Sequence, residues 1–482
     1  MQAHGTHSPV AAGRAVLVTA ALGTMLAPLN STMIVVALPD ILAEFDRSLA
    51  WGSWIVISYL VAMAAVQPLG GSLGDRYGRR RLFLIGLTGF LAATVLAALA
   101  WRIEVLIAAR TVQAIAGATA IPNGTALVRS LIPPERQGRA FGMIGSGIAV
   151  AAGVGPPLGG IVTDSLGWRW IFAANILLIV PALVLGVRLP AGERASRAGR
   201  FDLRGALLLT SSLVSLALSL TVWRLPGVPL IAAPGFGAVA ILSWITLRRH
   251  VRLSAHPILN LGLFRRPGFL PASLTVLLSN LTMYTILLSL PVFLTKQDSW
   301  SSSQVGLLLA GMSLQMIVVS PVGGWLSDHF GRRVPAVAGT TLIAAGTLPF
   351  LAVDAGWGWA LYLAPLVVVG IGIGLSSASV QTAAIQAASA SETGQSAGLF
   401  STMRYLGSIL GSAGMAAILT GSLPTIAKFH LLYAVLFLAA CGAVISASRL
   451  PAGVAQQPVV ADLAANPASQ ATPGHPETIR SS

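Results

Sequence analysis

Two arginines stand where a charge is hardest to keep. Arg110 and Arg404 fall inside long apolar stretches. A guanidinium at such depth costs about 2.5 kcal/mol or more, so it faces a polar cavity, finds a partner, or reaches back to water at the helix end. Gln113 follows Arg110 by one helical turn and can share a hydrogen-bond network with it. In "LNSTMIVVALPD" (29–40), Asn30, Ser31 and Thr32 make a polar step in an otherwise apolar run. An amide there can hydrogen-bond but can neither carry a proton nor attract a cation, so Asn30 is either a ligand-facing group or a structural amide holding a neighbouring helix. The 15 acidic residues all fall in loops, interfaces or the tail. Asp40, Glu104 and Asp164 come closest to membrane depth, and each could meet Arg110 or take up a proton.

The elements that must position these residues follow from composition. Hydrophobic residues make up 55% of the 482, charged residues only 9%, and the mean hydropathy is +0.79. Runs near twenty apolar residues recur along the chain, each long enough to cross roughly 30 Å of hydrocarbon as a helix. The spans expected are 15–38, 52–73, 82–101, 105–127, 140–163, 169–188, 205–222, 229–247, 269–294, 303–326, 334–352, 358–380, 397–420 and 430–448. The net charge of +15 does not signal nucleic acid, because the basic residues sit in short loops and obey the positive-inside rule. With both termini inside, Arg76, Arg79, Arg80 and Arg81 share one cytoplasmic loop and Arg248, Arg249, Arg252, Arg265 and Arg266 another. The single cysteine, Cys441, excludes an intramolecular disulfide, and no metal or cofactor site is expected. The tail from 450 to 482 is Ala/Pro/Gln/Ser-rich and reads as disordered.

A long-range repeat organises the chain. "PLGGSLGDRYGRRR" (68–81) aligns in register with "PVGGWLSDHFGRRV" (321–334). The copies follow the second and tenth spans in the same orientation, as two six-helix halves separated by two extra helices would place them. Parallel halves of this kind hold substrate between them near the midplane. The segments divide as a tail (1–13), a first six-helix bundle (14–190), a linker with two helices (191–267), a second bundle (268–449) and the terminal tail.

The loop sequence resembles the cytoplasmic motif of the major facilitator superfamily. "RTVQAIAGA" (110–118) resembles its fourth-helix arginine motif, and "GIAVAAGVGPPLGG" (147–160) the glycine–proline motif of antiporters. With "WRWIFAAN", "WIVISYLVA" and the span count, the chain is similar to the fourteen-helix drug:proton antiporter branch. The resemblance implies an all-α polytopic fold of two six-helix bundles plus two central helices, working as a monomer in the plasma membrane. It also implies a cytoplasmic gate built from Gly71, Asp75, Arg76, Gly78, Arg79 and Arg80, repeated at Asp328, Arg332 and Arg333. By physical reasoning, Gly71 and Gly74 permit close helix approach and Gly78 a tight turn. Gly147, Ala151 and Gly155 give the fifth helix a bare face, while Gly153 and Pro156–Pro157 loosen it; with Gly159 these form the expected hinge and seal.

The expected function is export of amphipathic small molecules by alternating access, with protons as the counter-ion that the resemblance implies. The family's first-helix pattern has an acid where Asn30 stands, so neutral or anionic cargo is favoured over dications. Trp54, Tyr59, Asn280, Tyr284, Met312 and Gln315 are the expected cavity lining, or else packing residues. Two rivals are an uncoupled carrier for one anionic metabolite and a transporter-like sensor.

Overall fold

The computed structural model describes residues 9–132, 134–190, 202–222, 229, 231–254, 261–297, 300–354, 356–388, 393–420 and 424–452. The tail beyond 452 and most of the inter-bundle connection at 191–201 lie outside this set, as do the side chains of Asp75, Lys296 and Asp298.

Backbone groups in hydrocarbon have no water to bond, so apolar runs of this length satisfy them within a helix. The described residues are accordingly helical, with no strand. The first bundle comprises α1 (Pro9–Glu44), α2 (Leu49–Tyr77), α3 (Arg79–Ala98), α4 (Ile103–Leu131), α5 (Pro134–Leu166) and α6 (Trp170–Val187). The hairpin α7 (Leu203–Thr221) and α8 (Ala232–Leu253) follows. The second bundle comprises α9 (Phe269–Gln297), α10 (Ser302–Phe330), α11 (Arg333–Thr347), α12 (Trp359–Gln386), α13 (Thr393–Leu419) and α14 (Thr425–Ser448). Eleven of these helices are long and apolar enough to cross a membrane, so the chain is a multi-pass membrane protein. Several run past the expected apolar spans: α1 continues from Leu38 through Pro39 to Glu44, carrying Asp40 out on a continuous helix.

The sequence repeat is also a geometric repeat. Gly78 and Gly331 occupy the same place in the two copies and both have positive φ, 99° and 75°, which turns the chain sharply into the next helix. A side chain on Gly70 would strike the backbone of Ala118 and Thr119, and one on its counterpart Gly323 the backbone of Leu375. Eight residues past each turn, Gly86 lies against the backbone of Ala116 and Ala120, and Gly339 against that of Gly372 and Ser376. The expected close approach at Gly71 is corrected by one residue. Its nearest neighbour would be Pro122 Cβ at 3.8 Å, and that of Gly324 would be Ala378 Cβ at 3.9 Å, both ordinary contacts. Gly74 does lie tight, over the Asn123 side chain.

The bare face expected on α5 is also reassigned. Gly147, Gly155 and Gly159 face Met25, Thr32 and Met33 of α1, so this stripe packs within the first bundle. The face turned to the second bundle carries Gly153, Pro156 and Gly160 instead. Gly153 meets Ile317 and the Ser313 carbonyl, Pro156 presents its carbonyl to Gly306, and Gly160 rests on the backbone of Ser302 and Ser303. Besides α5 with α10, the bundles meet through α2 with α13 and α1 with α9. The hairpin is not wholly peripheral. Its α7 packs against both α2 and α13, with Leu209, Leu213 and Ala217 in the main core. Asp202 caps α7 through Gly205 N at 2.8 Å and meets His250 Nε2 of α8 at 2.6 Å.

Adjacent glycines should therefore respond oppositely to a methyl group. Overpacking against backbone costs about 1–3 kcal/mol, so Gly70→Ala and Gly323→Ala should each lower the melting temperature of the purified protein. Gly71→Ala and Gly324→Ala should leave it unchanged or slightly raised. Thermal unfolding in detergent distinguishes the pairs.

Candidate functional site

A polar network crosses the interior of the first bundle. Arg110 is 1% exposed, and its Nη1 donates to Gln113 Oε1 at 2.9 Å. Asn30 Nδ2 of α1 donates to the same oxygen at 2.5 Å, and Gln113 Nε2 donates to Thr94 Oγ1 of α3 at 2.8 Å. Asn175 Nδ2 of α6 reaches Asn30 Oδ1 at 3.4 Å and the Ile171 carbonyl at 3.1 Å. Four helices are thus joined by side chains that are all buried. Arg110 has only donors, so the Gln113 amide must turn its oxygen toward it. That oxygen then accepts a second bond, and Asn30 supplies a donor that a carboxylate lacks. The guanidinium also stacks on the Tyr59 ring, with Cζ 4.2 Å from the centroid. Arg110 therefore does not reach out to water. Thr94 and Asn175 were not singled out in the sequence, although Asn175 closes "WRWIFAAN" as an amide at the start of an apolar run and carries the same signal as Asn30.

Beside this network lies a tyrosine cluster shared by the two bundles. Tyr405 of α13 packs against the cluster that holds Tyr59 of α2, Tyr284 of α9 and Ser31 of α1 lie near them, and the Tyr59 hydroxyl is buried without a hydrogen-bond partner. Tyr284 feels both Arg110 and Arg404. Arg404 is enclosed by protein yet keeps part of its surface accessible, and its Cζ lies 5.5 Å from the Phe400 ring centroid. Among the expected lining residues, Trp54, Asn280, Tyr284 and Gln315 are half-buried, whereas Tyr59 and Met312 are fully buried packing residues. Asn280 turns its amide onto its own helix, at the Val276 carbonyl (2.9 Å).

None of the three candidate acids meets Arg110. Glu104 faces Arg47 at 3.5 Å in an exposed pair, worth little in water. Asp40 and Asp164 instead converge on the start of α10. Ser302 Oγ donates to Asp40 Oδ2 at 2.6 Å, while the amides of Ser302 and Ser303 donate to Asp164 at 3.1 and 2.7 Å. Two carboxylates from the first bundle thus hold the N-terminus of a second-bundle helix, where free amides and the helix dipole favour negative charge. Burial alone would raise the Asp164 pKa, but the hydrogen bonds from Ser303, Ser301 and Ser302 outweigh it and hold the carboxyl below its ordinary value. Glu44, one turn past Asp40, is taken by Trp168 Nε1 at 2.6 Å and Arg169 at 2.7 Å. No sequence signal marked Ser302, because a serine at a helix start is commonplace.

The arginine loop lies at the opposite ends of α2 and α10. Arg79 donates to the Ala126 carbonyl at 3.3 Å, and Arg80 to the carbonyls of Gly186 (3.3 Å) and Val187. These bonds tie the turn to the C-termini of α4 and α6. Arg76 lies over Tyr77, 5.6 Å from its centroid. Asn123, missed in the sequence, ties α4 to α2 through the Gly70 carbonyl at 2.8 Å. In the second copy, Arg332 sits beside Asp328, and burial, which outweighs that carboxylate, lowers its pKa. The pairing of Asp75 lies outside the described side chains.

Gln113 is the hub, so Gln113→Leu would strip partners from Arg110, Asn30 and Thr94 together. Leaving a buried charge unpartnered costs about 3 kcal/mol or more, and the melting temperature should fall further than for Thr94→Val, which removes one hydroxyl.

Residues 20–412 match the Major Facilitator Superfamily profile. The chain is 34% identical to the MFS-type transporter YvkA of Bacillus subtilis over 88% of its own length and 93% of that protein. It is 32% identical to multidrug resistance protein Stp of Mycobacterium tuberculosis, covering 86% and 77% of the two chains. With the tetracenomycin C resistance and export protein of Streptomyces glaucescens it shares 28% identity over 84% and 75%. A family match across most of the chain, the duplicated arginine loops and the all-helical fold of the described residues agree, and the chain belongs to the Major Facilitator Superfamily.

Proposed function

We propose that this protein exports amphipathic small molecules across the plasma membrane by alternating access, with both termini and the arginine loops cytoplasmic and all fourteen helices spanning. The observation that carries this reading is the grip of Asp40 and Asp164 on Ser302 and Ser303. It is a releasable polar seal between the bundles at the end opposite the arginine loops. The drug-resistance and export names of two similar proteins support drug-like cargo.

A proton link acts through this outer seal, because among the described side chains no carboxylate lies at membrane depth. The two acids differ in how they are held. Asp164 accepts from two backbone amides, which can only donate, whereas Asp40 is held by one hydroxyl. We assign the proton link to Asp40 and the fixed latch to Asp164. Among the described side chains, Glu44, one turn past Asp40, is already paired to Arg169, and the first turn of α10 carries no acid. A second reading, a carrier for one anion without proton movement, is favoured by the same lack of acids at depth.

Proton movement in inverted vesicles, followed with a pH-quenched dye and a panel of cationic, neutral and anionic compounds, separates the two. Compound-triggered proton release that disappears in Asp40→Asn supports the exporter as proposed. Transport with no proton signal would remove the proton link. For Asp164 the sign is fixed by its lowered pKa. Its contribution is complete above the ordinary carboxylate value of about 4 and is lost as pH falls through the lowered value. The difference in melting temperature between wild type and Asp164→Asn should hold constant from pH 7 to 5 and shrink below about pH 4.

A further inference from the structure

We propose that Arg404, with Tyr284 and Tyr405 beside it, forms an anion-binding subsite, and that the cargo class is the amphipathic organic anion, a carboxylate, sulfonate or phosphate monoester on an apolar body. This rests on reading the chain as an exporter of amphipathic small molecules.

The two deep arginines divide the work. Arg110 is sealed from water: its Nη1 bonds Gln113 and its guanidinium stacks on Tyr59, while Nε is buried without a partner. It lends charge but offers no surface to a ligand. Arg404 is the half-buried member. No described carboxylate forms an ion pair with it, and its neighbours are the Phe400 ring and the Tyr284 and Tyr405 side chains. A guanidinium presents a planar fork that matches a carboxylate or phosphate in two parallel bonds, and a tyrosine hydroxyl can donate to the same oxygens.

The electrostatics point the same way. Arg404 is half-buried on α13 and Arg110 deeply buried on α4, with Tyr284 near both, so an anion beside Tyr284 would meet two positive charges in surroundings that screen poorly. With no acid at depth among the described side chains, nothing cancels that potential. An anion entering between the bundles supplies the missing counter-charge, while a cationic amphipath meets repulsion, which is how a site rejects as well as selects. The subsite draws on α9 and α13 of the second bundle, and Tyr59 brings α2 of the first against it, so a ligand there touches both moving parts.

The test uses compounds that differ only in charge: 1-pyrenebutyrate, 1-pyrenebutanamide and 1-pyrenebutylamine, with 2-naphthoate and 2-naphthamide as a smaller pair. Binding to the full-length purified protein is read by energy transfer from its 11 tryptophans, or by competition for the non-pyrene compounds. The carboxylates should bind about tenfold or more tighter than the amides, with the amine weakest. Arg404→Gln should bring the carboxylate-to-amide ratio to near one, Arg404→Lys should keep part of it, and Tyr284→Phe should reduce it severalfold. An amide or amine that binds wild type as well as the carboxylate overturns the anion subsite and leaves the exporter reading intact. So does an undiminished preference in folded Arg404→Gln. If no member binds wild type, the amphipath reading fails and this inference with it. The wild-type charge ranking needs no variant, so poor folding of Arg404→Gln does not remove the test.

Discussion

The Arg110–Gln113 hydrogen bond, 2.9 Å long and wholly out of water, sets the terms for the first bundle. Among the described side chains no carboxylate meets that guanidinium, so its cost is met by an amide oxygen and an aromatic face. Once the amide is turned to serve Arg110, its oxygen calls for a further donor and its nitrogen for an acceptor. Asn30 and Thr94 answer those demands, and Asn175 extends the chain to a fourth helix. The bundle interior is organised by hydrogen-bond direction more than by charge pairing. That is why position 30 can be an amide.

Contact between the bundles follows a different rule. The packed surfaces of α5 and α10 are nearly bare, with Gly153, Gly160 and Gly306 letting backbones touch. Such surfaces can separate without leaving side chains interlocked. At the rim the contact is polar, where Asp40 and Asp164 hold the first turn of α10. Water can replace every bond there, so this contact is one the chain could exchange without leaving a group unsatisfied. The hairpin helix α7 lies along the α2–α13 seam and so meets both halves at another edge.

Much of this was legible in the sequence, and the rest was hidden for identifiable reasons. The registered loop copies predicted a repeated turn, and Gly78 and Gly331 share a positive φ. Arg110 and Gln113, one turn apart, predicted a local network because helical spacing alone brings them together. The same spacing could not say which α5 stripe faces which neighbour, since glycines cover two faces of that helix; Gly155 turned to α1 and Gly160 to α10. Nor could it tell Gly70 from Gly71, because the difference depends on where α4 lies. The partners of Asp40, Asp164 and Glu104 depend on tertiary placement of helix ends, which sequence distance does not give. Ser302 carries no local mark at all.

If the rim carboxylates close the two bundles against each other, a distance measurement shows it directly. Spin labels at Leu166 and Leu307, exposed positions on α5 and α10, can be read by double electron–electron resonance in lipid nanodiscs with Cys441 replaced by serine. The predicted result is a predominant short-distance population that gives way to a longer one in Asp164→Ala. An identical distribution in both proteins would mean that closure is held elsewhere and that the carboxylates at Ser302 are not the latch.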